Sequence, residues 1–319
     1  SSCQASLELH LLSTKSYLLA SCYIMQGVED ATKRPDSKKE NIMTKKIAFQ
    51  GALGAYSDEA CRSAYPDLTP FPCPAFEDII NAVQRGTADL AMVPVENSTY
   101  GRVADIHRLL PDSGLHIVDE AFTRVRISLM ALPETKLEKI KKVRAHMVLL
   151  PQARKFLEKH NIEAVSAADS AGAASELAES RDLNCGVLAS ELAAKTYGLN
   201  ILAHNIEDHS HNTTRFLIMS RKPDTKKRGT GKMKTTFVFQ VRNIPAALYK
   251  AMGGFATNSV NMLKLESYML DGSFTATQFY ADVEGHPDDA NVHRALEELD
   301  YFSTKIKILG VYPAKPHRK

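Results

Sequence analysis

The chain has 319 residues, a formal net charge of +3 and 44% apolar residues, too long for one ordinary core and suited to two or three globular domains. No apolar run is long enough to span a membrane, and no basic face with interleaved aromatics marks a nucleic-acid partner. The five cysteines, Cys3, Cys22, Cys61, Cys73 and Cys185, form no CxxC pair and no even framework, which favours unpaired thiols in a reducing, cytoplasmic setting and offers no zinc motif.

Residues 1–44 match nothing downstream and read as a disordered N-terminal extension, set aside from the fold. Lys46–Phe49 then predicts a strand, Gly51 and Gly54 a turn, and Ser57-Asp58-Glu59-Ala60 the start of a helix with Ser57 as its N-cap. Backbone N–H groups at such a helix start suit an anion. Neither the dinucleotide glycine spacing nor the Lys-Ser/Thr of a phosphate loop follows. Phe76, Ile79, Ile80 and Val83 recur at helical spacing, and Asp89–Val95 predicts a buried strand ended by Pro94. Glu96, Asn97 and Ser98 follow, either at the strand end where open α/β sheets bind ligands or as a turn bonding its own backbone.

Strands at 117–122 and 127–132 carry the chain onward. Helices at 149–160, 171–179 and 191–197 then alternate with strands at 164–167, 186–188 and 199–203, and a last strand covers 214–219. The alternation predicts a parallel α/β sheet, and the break near 123–127 two lobes with a cleft, together spanning 45–220. His204, His209 and His211 near Asp208 lie in a polar loop with no standard metal spacing, and read as solvated. Residues 221–234 read as a basic, solvated linker containing Lys222, Lys226, Lys227, Arg228, Lys232 and Lys234. Residues 235–313 then predict a βαββαβ, ferredoxin-like order forming a separate domain, with 314–319 as a tail.

The densest chemistry lies in Asn212-Thr213-Thr214-Arg215-Phe216. Alternation in an extended segment puts Thr214 and Phe216 on one face and Thr213 and Arg215 on the other. A hydroxyl donor beside a bidentate carboxylate binder suits a small anion bearing an oxygen to be held or protonated.

With Gly51–Ser57, Val93-Pro94-Val95-Glu96-Asn97-Ser98 followed by Gly101 and Val103, Tyr197-Gly198-Leu199, Pro245–Tyr249, Leu265-Glu266-Ser267 and Glu284-Gly285-His286, this run resembles prephenate dehydratase with a C-terminal ACT regulatory domain, over roughly residues 45–313. The resemblance implies a catalytic part similar to periplasmic binding proteins and a regulatory module that senses L-phenylalanine. It implies decarboxylating dehydration of prephenate to phenylpyruvate, within L-phenylalanine biosynthesis. No redox change occurs, so no cofactor or metal is needed. Thr214 would hold the departing hydroxyl and Arg215 the retained carboxylate. Asn97, Ser98, Ser57, Gln152 and Ser170 would be neutral donors, and Phe216 would sit at or under the substrate. Glu96 would orient Asn97, act as an acid if its pKa is raised, or make a turn bond. Ala246, Ala247, Leu248, Asn261, Glu266 and Ser267 would bind the effector where modules pair in a homodimer or homotetramer. The chain departs from the family pattern at Ala55 and Ala145, at Ser170 for Thr, at Ala246 for Gly and at Tyr268-Met269 for Arg-Pro. An arogenate dehydratase and a non-catalytic amino-acid sensor are the alternative readings.

Overall fold

The computed structural model describes residues 45–224, 231–269 and 276–316. The N-terminal extension and part of the basic segment therefore lie outside the described residues. In the first lobe β1 (Lys46–Gln50), α1 (Tyr56–Ala64), β2 (Thr69–Cys73), α2 (Phe76–Gln84), β3 (Leu90–Asn97), β4 (Gly101–Arg102), α3 (Ala104–Leu109) and β5 (His116–Arg124) follow in order. Ile47, Ala48 and Phe49 are fully buried, as expected of a strand covered on both faces. β2 was not evident in the sequence, because Pro70 and Pro72 argue against a strand. Among the described residues it pairs only with β1, and an edge tolerates the missing N–H groups.

The second lobe holds β6 (Ser128–Ala131), β7 (Lys142–His146), α4 (Arg154–His160), β8 (Glu163–Ala167), α5 (Ser170–Glu179), β9 (Cys185–Ala189), α6 (Glu191–Tyr197) and β10 (Asn200–Ala203). Its sheet has the order β10-β6-β9-β7-β8. The chain returns to the first lobe through β11 (Thr213–Ser220), which lies antiparallel between β5 and β3. The two-lobed, binding-protein-like architecture matches the expectation.

β11 divides two cores. Phe216 and Ile218 pack with Ile47, Phe49, Ala60, Cys61 and Met92 on the α1 side. Leu217 and Met219 pack on the other side with Val93, Val95 and Ile106. The β3–β11 register shifts once, from Arg215 opposite Glu96 to Phe216 opposite Pro94, leaving Val95 without a register partner. Such a bulge inverts the alternation beyond it. Asn97 thereby joins the face of Thr214, and Glu96 that of Arg215.

The C-terminal module runs β12 (Met233–Val241), α7 (Ala247–Thr257), β13 (Met262–Met269), β14 (Ala276–Glu284), α8 (Ala290–Phe302) and β15 (Ser303–Pro313), the predicted βαββαβ order. Phe237, Phe239 and Val241 pack beneath α7 and α8 with Ala251, Phe255, Ala295 and Leu299. The expectation of a separate domain is corrected. Val238, Tyr280, Leu309 and Tyr312 belong to the same buried cluster as Val93, Ile117 and Leu217. One sheet runs β13-β14-β12-β15-β5-β11-β3-β1-β2, with β4 on β3. β15 meets β5 in parallel at Gly310 and Ile117. A Cβ on Gly310 would lie 2.1 Å from the Ile117 carbonyl oxygen, so only glycine permits that approach. Lys234, expected in a solvated linker, is instead buried, with Nζ 2.9 and 2.8 Å from the two carboxylate oxygens of Glu120.

Candidate active site

The Gly51–Ser57 turn closes against the second lobe. Ser190 Oγ donates to the Gly54 carbonyl at 2.6 Å, and the Tyr197 hydroxyl to the Leu53 carbonyl at 2.8 Å. Gly54 has φ +85°, and a Cβ there would lie 2.7 Å from Ala193 Cα. A glycine is needed both for the conformation and for the contact. Between the lobes lies a cavity of about 200 Å³, lined among others by Gln50, Tyr56, Ser57, His146, Leu149 and Ser170. The N-cap of α1 is Ala55, which has no side-chain bond to give, and not Ser57 as expected. Ser57 sits within the first turn and lines the cavity. Ser170 opens α5 and accepts from the His146 N–H at 3.0 Å, while the Asp169 cap turns back onto Gly172 N at 2.6 Å. Two helix starts thus face one small cavity, a setting that favours an anion.

Beside it is a neutral cluster. Asn97 Nδ2 donates to Asn212 Oδ1 at 2.6 Å and to Thr214 Oγ1 at 3.0 Å, while its Oδ1 accepts from the N–H groups of Thr99 and Tyr100 at 2.9 and 3.0 Å. Those four bonds fix the amide's orientation. Because Thr214 Oγ1 accepts from an amide, its own hydrogen is left to donate elsewhere. Asn212 Nδ2 donates to Gln152 Oε1, and Gln152 follows Leu149 of the cavity wall on one short turn. Ser98 closes the cluster: its hydroxyl donates to the His211 carbonyl at 3.1 Å and accepts from Thr213 N–H at 2.9 Å.

Arg215 is on the opposite face, and the expectation that it clamps substrate is corrected. Its Nε donates to Glu120 at 2.9 Å, Nη1 to Glu96 at 2.8 Å and Asp282 at 2.6 Å, and Nη2 to the Tyr312 hydroxyl at 2.9 Å. Burial disfavours its charge, yet Asp282, Tyr312, Tyr280 and Glu120 together hold it charged, above its ordinary range. Glu96 shares this network, with Lys264 Nζ 2.5 Å away. Burial would raise its pKa, but the bonds from Arg215 and Lys264 win and keep it below the usual carboxylate value. Its two oxygens are engaged by Arg215 and Lys264, which disfavours a raised-pKa acid at Glu96 and leaves Asn97 to be oriented by other partners. Phe216 is 1% exposed, packed in the α1-side core with Ile47, Phe49 and Met92.

The six expected effector residues are not brought together. Gln278 pairs with Gln240 on one side and Tyr268 on the other, which puts the start of α7 and the end of β13 at the same pole. Asn261 lies at the other pole, lining a cavity of about 410 Å³ with Lys232, Glu284 and His286. Glu266 faces Lys264 and Arg102, each at 3.6 Å, and the Ser267 carbonyl accepts from Arg102 at 3.1 Å. Ala246 adopts φ 63° as the N-cap of α7, a conformation glycine takes without strain. Sequence reasoning did not single out Tyr56, His146, Asn212, Glu120, Lys264 or Asp282. Only Asn212 carried a usable signal, as the first residue of the motif.

A two-lobed α/β enzyme with two helix starts facing one cavity between the lobes, and a neutral hydroxyl donor beside it, is the class these features define. The family model for prephenate dehydratase matches residues 47–224, and the chain belongs to that family of lyases. It is 50% identical over 273 residues, 86% of this chain and 97% of the relative, to the bifunctional N-acyl-homoserine lactone acylase/prephenate dehydratase of Komagataeibacter europaeus. It is 38% identical to the chloroplastic arogenate dehydratase/prephenate dehydratase 1 of Arabidopsis thaliana, covering 84% of this chain and 72% of that one. Among solved structures, the prephenate dehydratase of Arthrobacter aurescens in complex with L-Phe superposes with a TM-score of 0.77 at 31% identity, covering 84% and 90% of the two chains.

Proposed function

We propose that the protein dehydrates prephenate, with Thr214 as the donor to the departing hydroxyl. The observation that carries this is the Asn97 amide bonded to Thr214 Oγ1 at 3.0 Å, which leaves the threonine hydrogen directed at substrate. As the ring carboxylate leaves as carbon dioxide, its electron pair runs through the diene and expels the hydroxyl across the ring. The expelled oxygen takes one proton and departs as water. Thr214 stabilises the charge growing on that oxygen and relays a proton from solvent; an unactivated threonine is too weak an acid to supply one itself. With Arg215 committed elsewhere, the retained carboxylate is met by the N–H groups at the starts of α1 and α5 and by the Ser57 and Ser170 hydroxyls. These donors are neutral, so they hold the anion without overstabilising the carboxylate that must be lost.

The same reading makes 45–220 the catalytic part and 235–313 an ACT-type module through which subunits pair and L-phenylalanine acts, in a cytoplasmic homo-oligomer. The effector would bind where two modules pair, with Ala246–Leu248, Glu266 and Ser267 offered by one pole and Asn261 by the other. Purified protein incubated with prephenate and no added cofactor should form phenylpyruvate, and arogenate supplied in parallel tests the alternative substrate. Failure to form either product sinks the reading. A faster reaction with arogenate makes that the substrate and keeps the chemistry. Calorimetry with L-phenylalanine, paired with activity titration, tests the regulatory half; no heat and no inhibition at millimolar effector would leave the module an oligomerisation element.

A further inference from the structure

Several residues that flank or pair with Asn97 are tied across the seam to β13. Glu96, the preceding residue, bonds Lys264 at 2.5 Å. Gly101–Arg102 of β4 pair with Glu96 and Asn97, and Arg102 reaches the Ser267 carbonyl and lies 5.7 Å from the Tyr268 ring centroid. The bulge residue Val95 is held most tightly. Its carbonyl accepts from Val103 N–H at 3.0 Å and from His107 Nε2 at 2.9 Å, in place of a ladder partner on β11. His107 is 1% exposed, and its Nδ1 lies 2.6 Å from the Tyr268 hydroxyl. A carbonyl only accepts, so Nε2 carries the proton and Nδ1 accepts from the phenol. Burial keeps the Tyr268 hydroxyl protonated, as a donor needs to be.

The geometry points to His107 and Tyr268 as positioning residues for the dehydration: the Tyr268–His107–Val95 chain of hydrogen bonds fixes the bulge that turns Asn97 onto Thr214. This rests on the proposed role of Thr214, and it makes the C-terminal module part of the catalytic geometry in the absence of any effector. Without the bulge, Asn97 and Glu96 exchange faces, the amide leaves Thr214 and a carboxylate enters the cluster. The Tyr268 hydroxyl transmits through His107 alone, because it has no other bond to the first lobe among the described residues.

Tyr268→Phe removes the hydroxyl and keeps the ring over Arg102. His107→Gln keeps an N–H donor for Val95 and drops the link to the phenol. Both, singly and combined in the full chain, should lower kcat with prephenate by about tenfold while KM stays within about twofold, since the loss is of alignment and not of binding. The double variant should be no slower than His107→Gln alone. Hydrogen exchange read by mass spectrometry should quicken several-fold at residues 96–103 in Tyr268→Phe and stay unchanged at 126–146. Parental kcat and exchange, additive losses in the double variant, or a slower kcat with parental exchange would each overturn the proposal. A parent inactive on prephenate would sink the function instead, and exchange at 96–103 would then decide this proposal by itself.

Discussion

Thr214 and Arg215 are consecutive residues of β11, yet they occupy opposite environments. Thr214 belongs to a neutral cluster of amides and hydroxyls at the cleft. Arg215 belongs to a dry, charged seam holding the C-terminal module to the first lobe, with Glu120 and Asp282 fully buried around it. The period of two in a strand lets one segment serve both. Adjacency in a motif therefore says that two residues share a strand, and not that they share a substrate. The two faces should fail differently when disturbed, in equilibrium stability on one side and in turnover on the other.

The largest effect is expected from Arg215→Met. It leaves Glu96, Glu120 and Asp282 without their shared cation, and denaturant unfolding should show a loss of about 3–5 kcal/mol. Arg215→Lys should recover part of that, with KM for prephenate near the parent's. A large rise in KM with parental stability would restore Arg215 to the substrate.

Next comes a pH effect on the seam. Burial pushes His107 down from its ordinary 6.5 to about 4. Between those values the unfolded chain binds a proton at this site that the folded chain refuses, so stability falls as pH drops from 6.5 towards 4. The contribution is about 3 kcal/mol at most. Glu96 acts lower: its stabilising contribution is present above its ordinary 4.5 and is lost only as pH falls through its depressed folded value. Unfolding series at pH 7 and pH 5 should therefore differ less in His107→Gln than in the parent, and an equal difference would contradict the burial of a neutral imidazole.

On the cleft side, Thr214→Ala should lower kcat by about a hundredfold, or about 2.7 kcal/mol, with a melting temperature close to the parent's. Near-parental turnover in the folded variant would remove Thr214 from the chemistry. The smallest effect is expected at Ala246, where replacement by Gly relieves a left-handed alanine and should raise stability by about 1 kcal/mol or less. A lower melting temperature would mean that the methyl packs.

Much of the fold was legible because hydrophobic periodicity and turn residues bounded most elements, and the βαββαβ order emerged from the strand and helix lengths alone. β2 was hidden because its prolines are tolerated only at an edge, which is a property of the finished sheet. Of the site, Asn97, Ser98, Gln152 and Thr214 fall in one cluster, and Ser57 and Ser170 line the adjoining cavity. Arg215 and Glu96 were misread for one reason, that nothing in the Asn212–Phe216 run or in Glu96–Ser98 tells what covers the back of the strand. The alternation already separated Thr214 from Arg215, but the bulge that moves Glu96 to the back and Asn97 to the front depends on one unpaired residue, Val95. The partners on the far side, Lys264, Tyr268 and Asp282, come from a module read as independent.

The close approach of Gly310 to Ile117 bears on how this architecture is inherited and recombined. A crossover placed in the basic segment looks, by composition, like a safe boundary for swapping regulatory modules between enzymes. A chimera made there inherits β15 from one parent and β5 from the other. A side chain at the Gly310 position then strikes the partner backbone, and a hydrophobic residue at the Lys234 or Asp282 position strands the carboxylate or guanidinium opposite it. Productive exchange should need the seam to travel as a set, with Glu96, Glu120 and Arg215 on one side and Lys234, Lys264, Asp282 and Gly310 on the other. Libraries recombined at residues 225–230 should yield folded chimeras chiefly where both parents already share those residues.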